Sequence, residues 1–135
     1  MELVDANVFL RFLTGDHPDH SARSNAYLEA IERGEIAATT TEGVLVEIVQ
    51  VLSSKKLYAL SRADIATHLR TILELDGLRL PNKRVYLRAA DLYESTNLDF
   101  VDTLNVAHME RLGIQTLVSF GHHFDRIPTI TRREP

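Results

Sequence analysis

The chain has 135 residues, enough for one domain with a real core, and 44% of them are apolar. It contains no cysteine, which excludes disulfides and thiolate metal sites and suits a reducing, cytoplasmic setting. A formal net charge of −4 argues against a broad non-specific duplex-DNA footprint, although an acidic protein binds RNA when cations and local basic patches offset its acids.

Val4 closes a short first strand. Asn7 to Leu13 reads as a short helix, stopped by Thr14-Gly15-Asp16 and Pro18. Met1–Leu13 carries Glu2, Asp5 and Arg11, so it resembles neither a secretory leader nor a membrane span. His20 to Arg33 is a polar-faced helix built on Ala22, Ala26, Leu28 and Ile31, with Gly34 just past its end. Ile36–Thr39 is a second strand, and Thr39-Thr40-Thr41-Glu42 has capping-box spacing for a helix running to about Ser54. Ser61-Arg62-Ala63-Asp64 opens another helix, in which Ile65, Leu69, Ile72 and Leu73 keep helical spacing up to Asp76-Gly77. Leu78–Leu80 reads as a third strand closed by Pro81-Asn82, and Lys83 to Glu94 as a helix on Val85, Ala89, Leu92 and Tyr93. After a loop at Ser95–Asn97, Phe100 to Leu112 forms a helix ended by Gly113. Gln115–Ser119 is the clearest strand, and Ile127–Ile130, which holds Pro128, reads as an edge strand.

Short apolar strands alternating with helices predict an α/β fold: a three-layer α/β/α domain over residues 1–135 with a short, mostly parallel central sheet. Right-handed crossovers place the C-terminal ends of parallel strands on one side, where ligands bind. Asp5 and Ser119 lie at such ends, and Asn97–Asp99 leads into a helix that faces the same crevice.

Acids are set in apolar frames at three places: Asp5 after Leu3-Val4, Glu47 within Val44–Val49, and the pair Asp99 and Asp102. The pair alone also suits a helix cap, with Asp99 as N-cap and Asp102 near the third helical position. Glu47 is placed at the edge of its helix's apolar arc, where a carboxylate calls for a partner; Glu42, one turn earlier, is better explained by capping. Carboxylates about 4 Å apart repel by on the order of 4 kcal/mol at an effective dielectric near 20. Convergence of these acids therefore demands a cation, and hard oxygen donors select Mg²⁺ or Mn²⁺. His17-Pro18-Asp19-His20 reads as a helix entry, His68 and His108 as surface or satisfied residues, and the aromatics as core or dimer contacts.

Val4-Asp5-Ala6-Asn7, the Glu47 segment, Asp99-Phe100-Val101-Asp102-Thr103-Leu104, and Leu117-Val118-Ser119-Phe120 with Phe124-Asp125 together resemble a PIN-domain ribonuclease of the VapC type. The resemblance spans essentially the whole chain. It implies a Mg²⁺- or Mn²⁺-dependent RNA endonuclease leaving a 5′-phosphate and a 3′-hydroxyl, a homodimer, and inhibition by a small cognate antitoxin. It assigns Asp5, Glu47 and Asp102 as the metal-binding catalytic acids, Asp99 as an extra acid, and Asn7 and Ser119 as supporting residues. One position departs from the pattern: where the family carries a fourth acid, this chain has Gly121, followed by His122 and His123. Asp125, His122 or His123 are candidate substitutes, although the histidines also suit plain loop polarity. Arg11, Lys55 and Lys56 are candidates for steering the phosphate backbone, and Tyr27–Ile31 and Leu57–Leu69 for the dimer contact. A receiver domain is a poor alternative, since Ile36–Thr39 ends in Thr and Leu78–Leu80 in Pro81. A phosphoaspartyl phosphatase needs Asp-x-Asp, which Asp5-Ala6-Asn7 lacks. A catalytically weak PIN-like RNA- or protein-binding subunit is the alternative that Gly121 favours.

Overall fold

The computed structural model describes residues 1–135. In chain order it contains β1 (Glu2–Leu3), α1 (Ala6–Thr14), α2 (Pro18–Glu32), β2 (Ala38–Thr39), α3 (Glu42–Ser53) and α4 (Arg62–Leu73). These are followed by α5 (Lys83–Ser95), α6 (Phe100–Leu112), β3 (Thr116–Val118), a 3-10 turn at His122–Arg126, and β4 (Thr131–Arg133). The expected α/β class with parallel strands holds. β1 pairs in parallel with β2, and β3 with β4, as two separate two-stranded ladders. No helix is long and apolar enough to cross a membrane.

The helices begin where short polar side chains satisfy otherwise unpaired N–H groups. Ser61 Oγ accepts from Asp64 N at 3.1 Å, and Asp99 Oδ1 accepts from Asp102 N at 2.9 Å. α6 ends at Gly113, whose left-handed backbone (φ 68°) suits a residue without Cβ. One continuous core joins Val4, just after β1, to β2 and all six helices through Phe9, Leu28, Ile31, Ala38, Leu45, Ile48, Leu52, Ile65, Leu69, Val85, Ala89 and Leu104. α5 packs between α4 and α6, and α3 touches α1, α4 and α6.

Several local expectations are corrected. The cap of α3 is Thr41, whose hydroxyl accepts from Val44 N at 3.2 Å, not Thr39. Thr39 is drawn into the ladder, its carbonyl accepting from Val4 N at 2.9 Å. Thr40 is buried and donates to the Val4 carbonyl at 2.9 Å. Glu42 therefore caps nothing; it sits 2.7 Å from His108 Nε2 and ties the start of α3 to α6. The segment Leu78–Leu80 forms only a single bridge, Ala38 to Leu78, because Pro81 follows at once and offers no N–H. The last strand is Thr131–Arg133, not Ile127–Ile130; Pro128 keeps the earlier segment as a turn. α2 buries Ser21, Ser24, Leu28 and Ile31, while Ala22 and Ala26 face solvent. Ser21 is tolerated because its Oγ donates to the Arg11 carbonyl at 2.8 Å.

Among the apolar residues expected at a dimer contact, Leu28, Ile31, Ile65 and Leu69 are buried inside this chain. Leu57 is the large apolar residue of those two segments that stands exposed.

Candidate active site

Asp5 follows β1 and stands at the N-cap position of α1, yet its side chain makes no cap hydrogen bond. The carboxylate is exposed and not consumed by the helix end. Its backbone is fixed from below: Val4 is buried, its N–H donates to Thr39, and its carbonyl accepts from Thr40. Asp5 and Asn7 line a cleft of ≈ 650 Å³ together with Arg11, His20, Arg23 and Tyr27. Tyr27 OH donates to Glu2 Oε1 at 2.6 Å and clamps β1 to α2. Burial, reinforced by Glu2, pushes the Tyr27 phenol up to about 12.

Asp99 and Asp102 line a second cleft of ≈ 520 Å³ with Asn97, His123, Arg126 and Ile127. Asp99 caps α6, so the capping reading of this pair is correct; Asp102 lies one turn along, with its side chain 21% exposed. Burial raises the Asp102 pKa, and the charge of Asp99 raises it further. His123, with Nε2 3.0 Å from Asp102 Oδ2, opposes both. A carboxylate short of compensating charge, in a cleft open to solvent, has the chemistry of a hard-cation ligand.

The loop that presents this pair is braced by Arg62, at the start of α4. Its Nε donates to the Tyr93 carbonyl at 2.7 Å, its Nη2 donates to the Leu98 carbonyl, and its guanidinium lies 3.8 Å over the Tyr93 ring. Thr96 adds two bonds, donating to Leu92 O at 2.7 Å and accepting from Leu98 N at 3.3 Å.

Past β3, Ser119 Oγ accepts from Gly121 N at 3.0 Å and shapes the entry to the 3-10 turn. Buried Phe124 anchors that turn, and the His123 ring lies tilted against it at 4.4 Å. His122 and His123 therefore differ. His122 turns away to Asp125 (3.3 Å) and Arg132 (3.0 Å), whereas His123 turns to Asp102. Loop polarity is a sufficient account of His122 only. Asp125 is held by Arg132 Nε at 2.8 Å, which keeps its carboxyl below the usual range; it does not line the Asp102 cleft.

Glu47 is exposed on α3 and lines neither cleft. The buried stripe of α3 is Leu45, Ile48, Val49 and Leu52. At about 100° per residue, Glu47 lies roughly 150° from the centre of that stripe. The expected desolvation at a core boundary is absent. Lys55 and Lys56 are exposed after α3 and also line neither cleft. No group of three or more Asp, Glu or His side chains is gathered around one point as the side chains stand. His20, Arg23 and Arg126 line these clefts although the sequence does not single them out as site residues, His20 reading there as part of a helix entry. The signal available for Arg126 was its position two residues after Phe124, within the segment already compared with the family motif.

The chain is 29% identical over 127 residues to a VapC ribonuclease of Aquifex aeolicus (strain VF5), covering 94% of this chain and 92% of that protein. The family model described as PIN domain matches residues 3–130, and the chain belongs to the PIN-domain family.

Proposed function

We propose that this protein is a divalent-metal-dependent endoribonuclease that hydrolyses RNA phosphodiester bonds, and that it is the toxin of a toxin–antitoxin pair, acting as a homodimer and silenced by a small cognate antitoxin. The observation that carries the enzymatic reading is Asp102, a part-buried acid beside Asp99 in a chain whose residues 3–130 match the PIN domain. Similarity to a VapC ribonuclease supports RNA as the substrate, and the resemblance to VapC-type toxins carries the antitoxin as the partner.

In this reading Asp5 and Asp102 would hold the principal Mg²⁺ or Mn²⁺, and Glu47 would assist. When bound, such an ion supplies Lewis acidity, acidifying a water nucleophile and offsetting charge on the phosphate. Asp99 commits Oδ1 to the backbone N–H of Asp102 and leaves Oδ2 to accept a hydrogen bond from water in the cleft. A neighbouring carboxylate takes the proton of the attacking water. Arg11, His20 and Arg23 flank Asp5 and Arg126 flanks Asp102, placing donors for phosphate oxygens beside the acids. Asn7 and Ser119 support the frame.

Incubation of a structured RNA with Mn²⁺, with Mg²⁺ and with EDTA tests the proposal. Cleavage with either ion, abolished by EDTA and by Asp5→Asn at unchanged circular dichroism, is expected. Equal cutting by Asp5→Asn would make Asp5 a structural residue. Gly121, in place of an acid, favours a second reading as a binding subunit; RNA retention without cleavage under any ion would establish that one.

A further inference from the structure

Gly121 and His123 form one device. The backbone at Gly121 (φ −78°, ψ 107°) is ordinary and accepts any L residue. A Cβ at position 121 would lie 2.6 Å from His123 Cε1, 3.1 Å from Nδ1 and 3.3 Å from Ser119 Oγ, so a side chain there requires the His123 ring to leave its present place. The imidazole thus fills the space that a side chain at 121 would enter. Its far nitrogen, Nε2, reaches Asp102 Oδ2 at 3.0 Å. In an octahedral site with ligands at about 2.1 Å, adjacent donors stand about 3.0 Å apart. As the side chains stand, this contact is a hydrogen bond that holds one proton between the two groups; its length is also close to one edge of such an octahedron, so the pair is spaced for a shared ion once that proton leaves. The ring is positioned by buried Phe124 and by the Ser119–Gly121 bond, and both donors open onto the same cleft.

We infer that His123 is a metal ligand of this site, taking through its imidazole nitrogen the place that an acid at position 121 would otherwise serve, and that it biases the site toward Mn²⁺ over Mg²⁺. The inference rests on the reading of Asp102 as a metal ligand. Coordination uses the neutral ring, with the proton on Nδ1 and the Nε2 lone pair on the ion. Imidazole suits Mn²⁺ better than Mg²⁺, which keeps oxygen donors and water. His122 is excluded from the role because it faces Asp125 and Arg132.

Pulsed electron paramagnetic resonance of the full chain loaded with Mn²⁺ reads the ligand directly. An imidazole nitrogen coupling is expected in the parent and in His122→Ala, and its loss is expected in His123→Ala. Titration should show Mn²⁺ affinity falling about tenfold or more in His123→Ala, with Mg²⁺ affinity changing less. The paired variant Gly121→Asp with His123→Ala should reverse the preference toward Mg²⁺. Mn²⁺ bound by the parent without nitrogen coupling, and equally tightly by His123→Ala, would overturn the inference while leaving the carboxylate site standing. Unchanged Mn²⁺ affinity in Asp102→Asn, or no Mn²⁺ binding by the parent, would instead remove the site itself and the inference with it.

Discussion

Thr40→Val tests how the first acid is positioned. Thr40 is 4% exposed, and its hydroxyl donates to the Val4 carbonyl at 2.9 Å, one residue before Asp5. Valine keeps the branched shape of threonine and removes the donor, so packing changes little and the lost bond dominates. The Val4 carbonyl lies in a residue that is 2% exposed, so water cannot readily replace the hydroxyl. Leaving a buried acceptor unpaired costs about 1–3 kcal/mol. For a chain of this length, about 2 kcal/mol lowers the melting temperature by about 6–10 °C. Thr40→Ser keeps the donor and loses a buried methyl group, at about 1 kcal/mol. Differential scanning calorimetry should therefore rank the melting temperatures parent, Thr40→Ser, Thr40→Val. Because the same bond fixes the β1 end, RNA cleavage at 25 °C should fall several-fold more in Thr40→Val than in Thr40→Ser. The reasoning fails if Thr40→Val melts with the parent while Thr40→Ser melts below both, since the methyl group and not the hydroxyl would then hold the strand ends.

Arg62→Lys retains the charge but loses the fork onto Tyr93 and Leu98; it should destabilise the chain by about 1.5–3 kcal/mol in urea unfolding and lower cleavage, whereas equal midpoints would show the brace to be idle. Gly77→Ala puts a Cβ 2.2 Å from the Ile31 carbonyl and 2.8 Å from the Ile36 carbonyl; these are backbone atoms, so a loss of about 3 kcal/mol or more is expected by calorimetry, and a wild-type melting curve would refute the close approach. Tyr27 has a phenol raised to about 12, above the ordinary 10. A raised folded pKa means that its stabilisation is fully present below pH 10 and is lost as pH rises through about 12. Burial also raises the Tyr86 phenol, so ultraviolet titration should show two late-ionising tyrosines, of which the step near 12 is lost in Tyr27→Phe; a step near 12 that survives the substitution would assign it elsewhere.

Legibility followed the range of the forces involved. Helices were readable because apolar spacing and caps are local: Ser61, Asp99 and Gly113 mark their helix ends as their chemistry dictates. Thr39–Thr41 was misread because three neighbouring threonines offer the same capping chemistry, and only pairing with a strand 35 residues away decides among them. β1 claims Thr39 through Val4 N, Thr40 closes onto the Val4 carbonyl, and Thr41 is left for the helix. The expected place of Glu47 at the core boundary is overturned for a different reason. α3 carries partly exposed valines at 44, 46 and 51, so its apolar count exceeds its buried stripe and the wheel drawn from sequence points the wrong way.

The candidate site shows the same division. Asp5 and the Asp99–Asp102 pair were legible because each sits at a junction between elements, where a carboxylate in an apolar frame stands out. His123 could be named only together with His122, because the two have the same chemistry and adjacent residues on a tight turn face different ways. Three contacts decide between them: Phe124 anchors the turn, Arg132 and Asp125 draw His122 outward, and Asp102 receives His123. A glycine at an ordinary φ is the trace this arrangement leaves in the sequence. Nothing in the backbone calls for glycine at 121; a Cβ there would meet the His123 ring, and the proposed metal role of His123 puts the chemistry expected at 121 two residues further along.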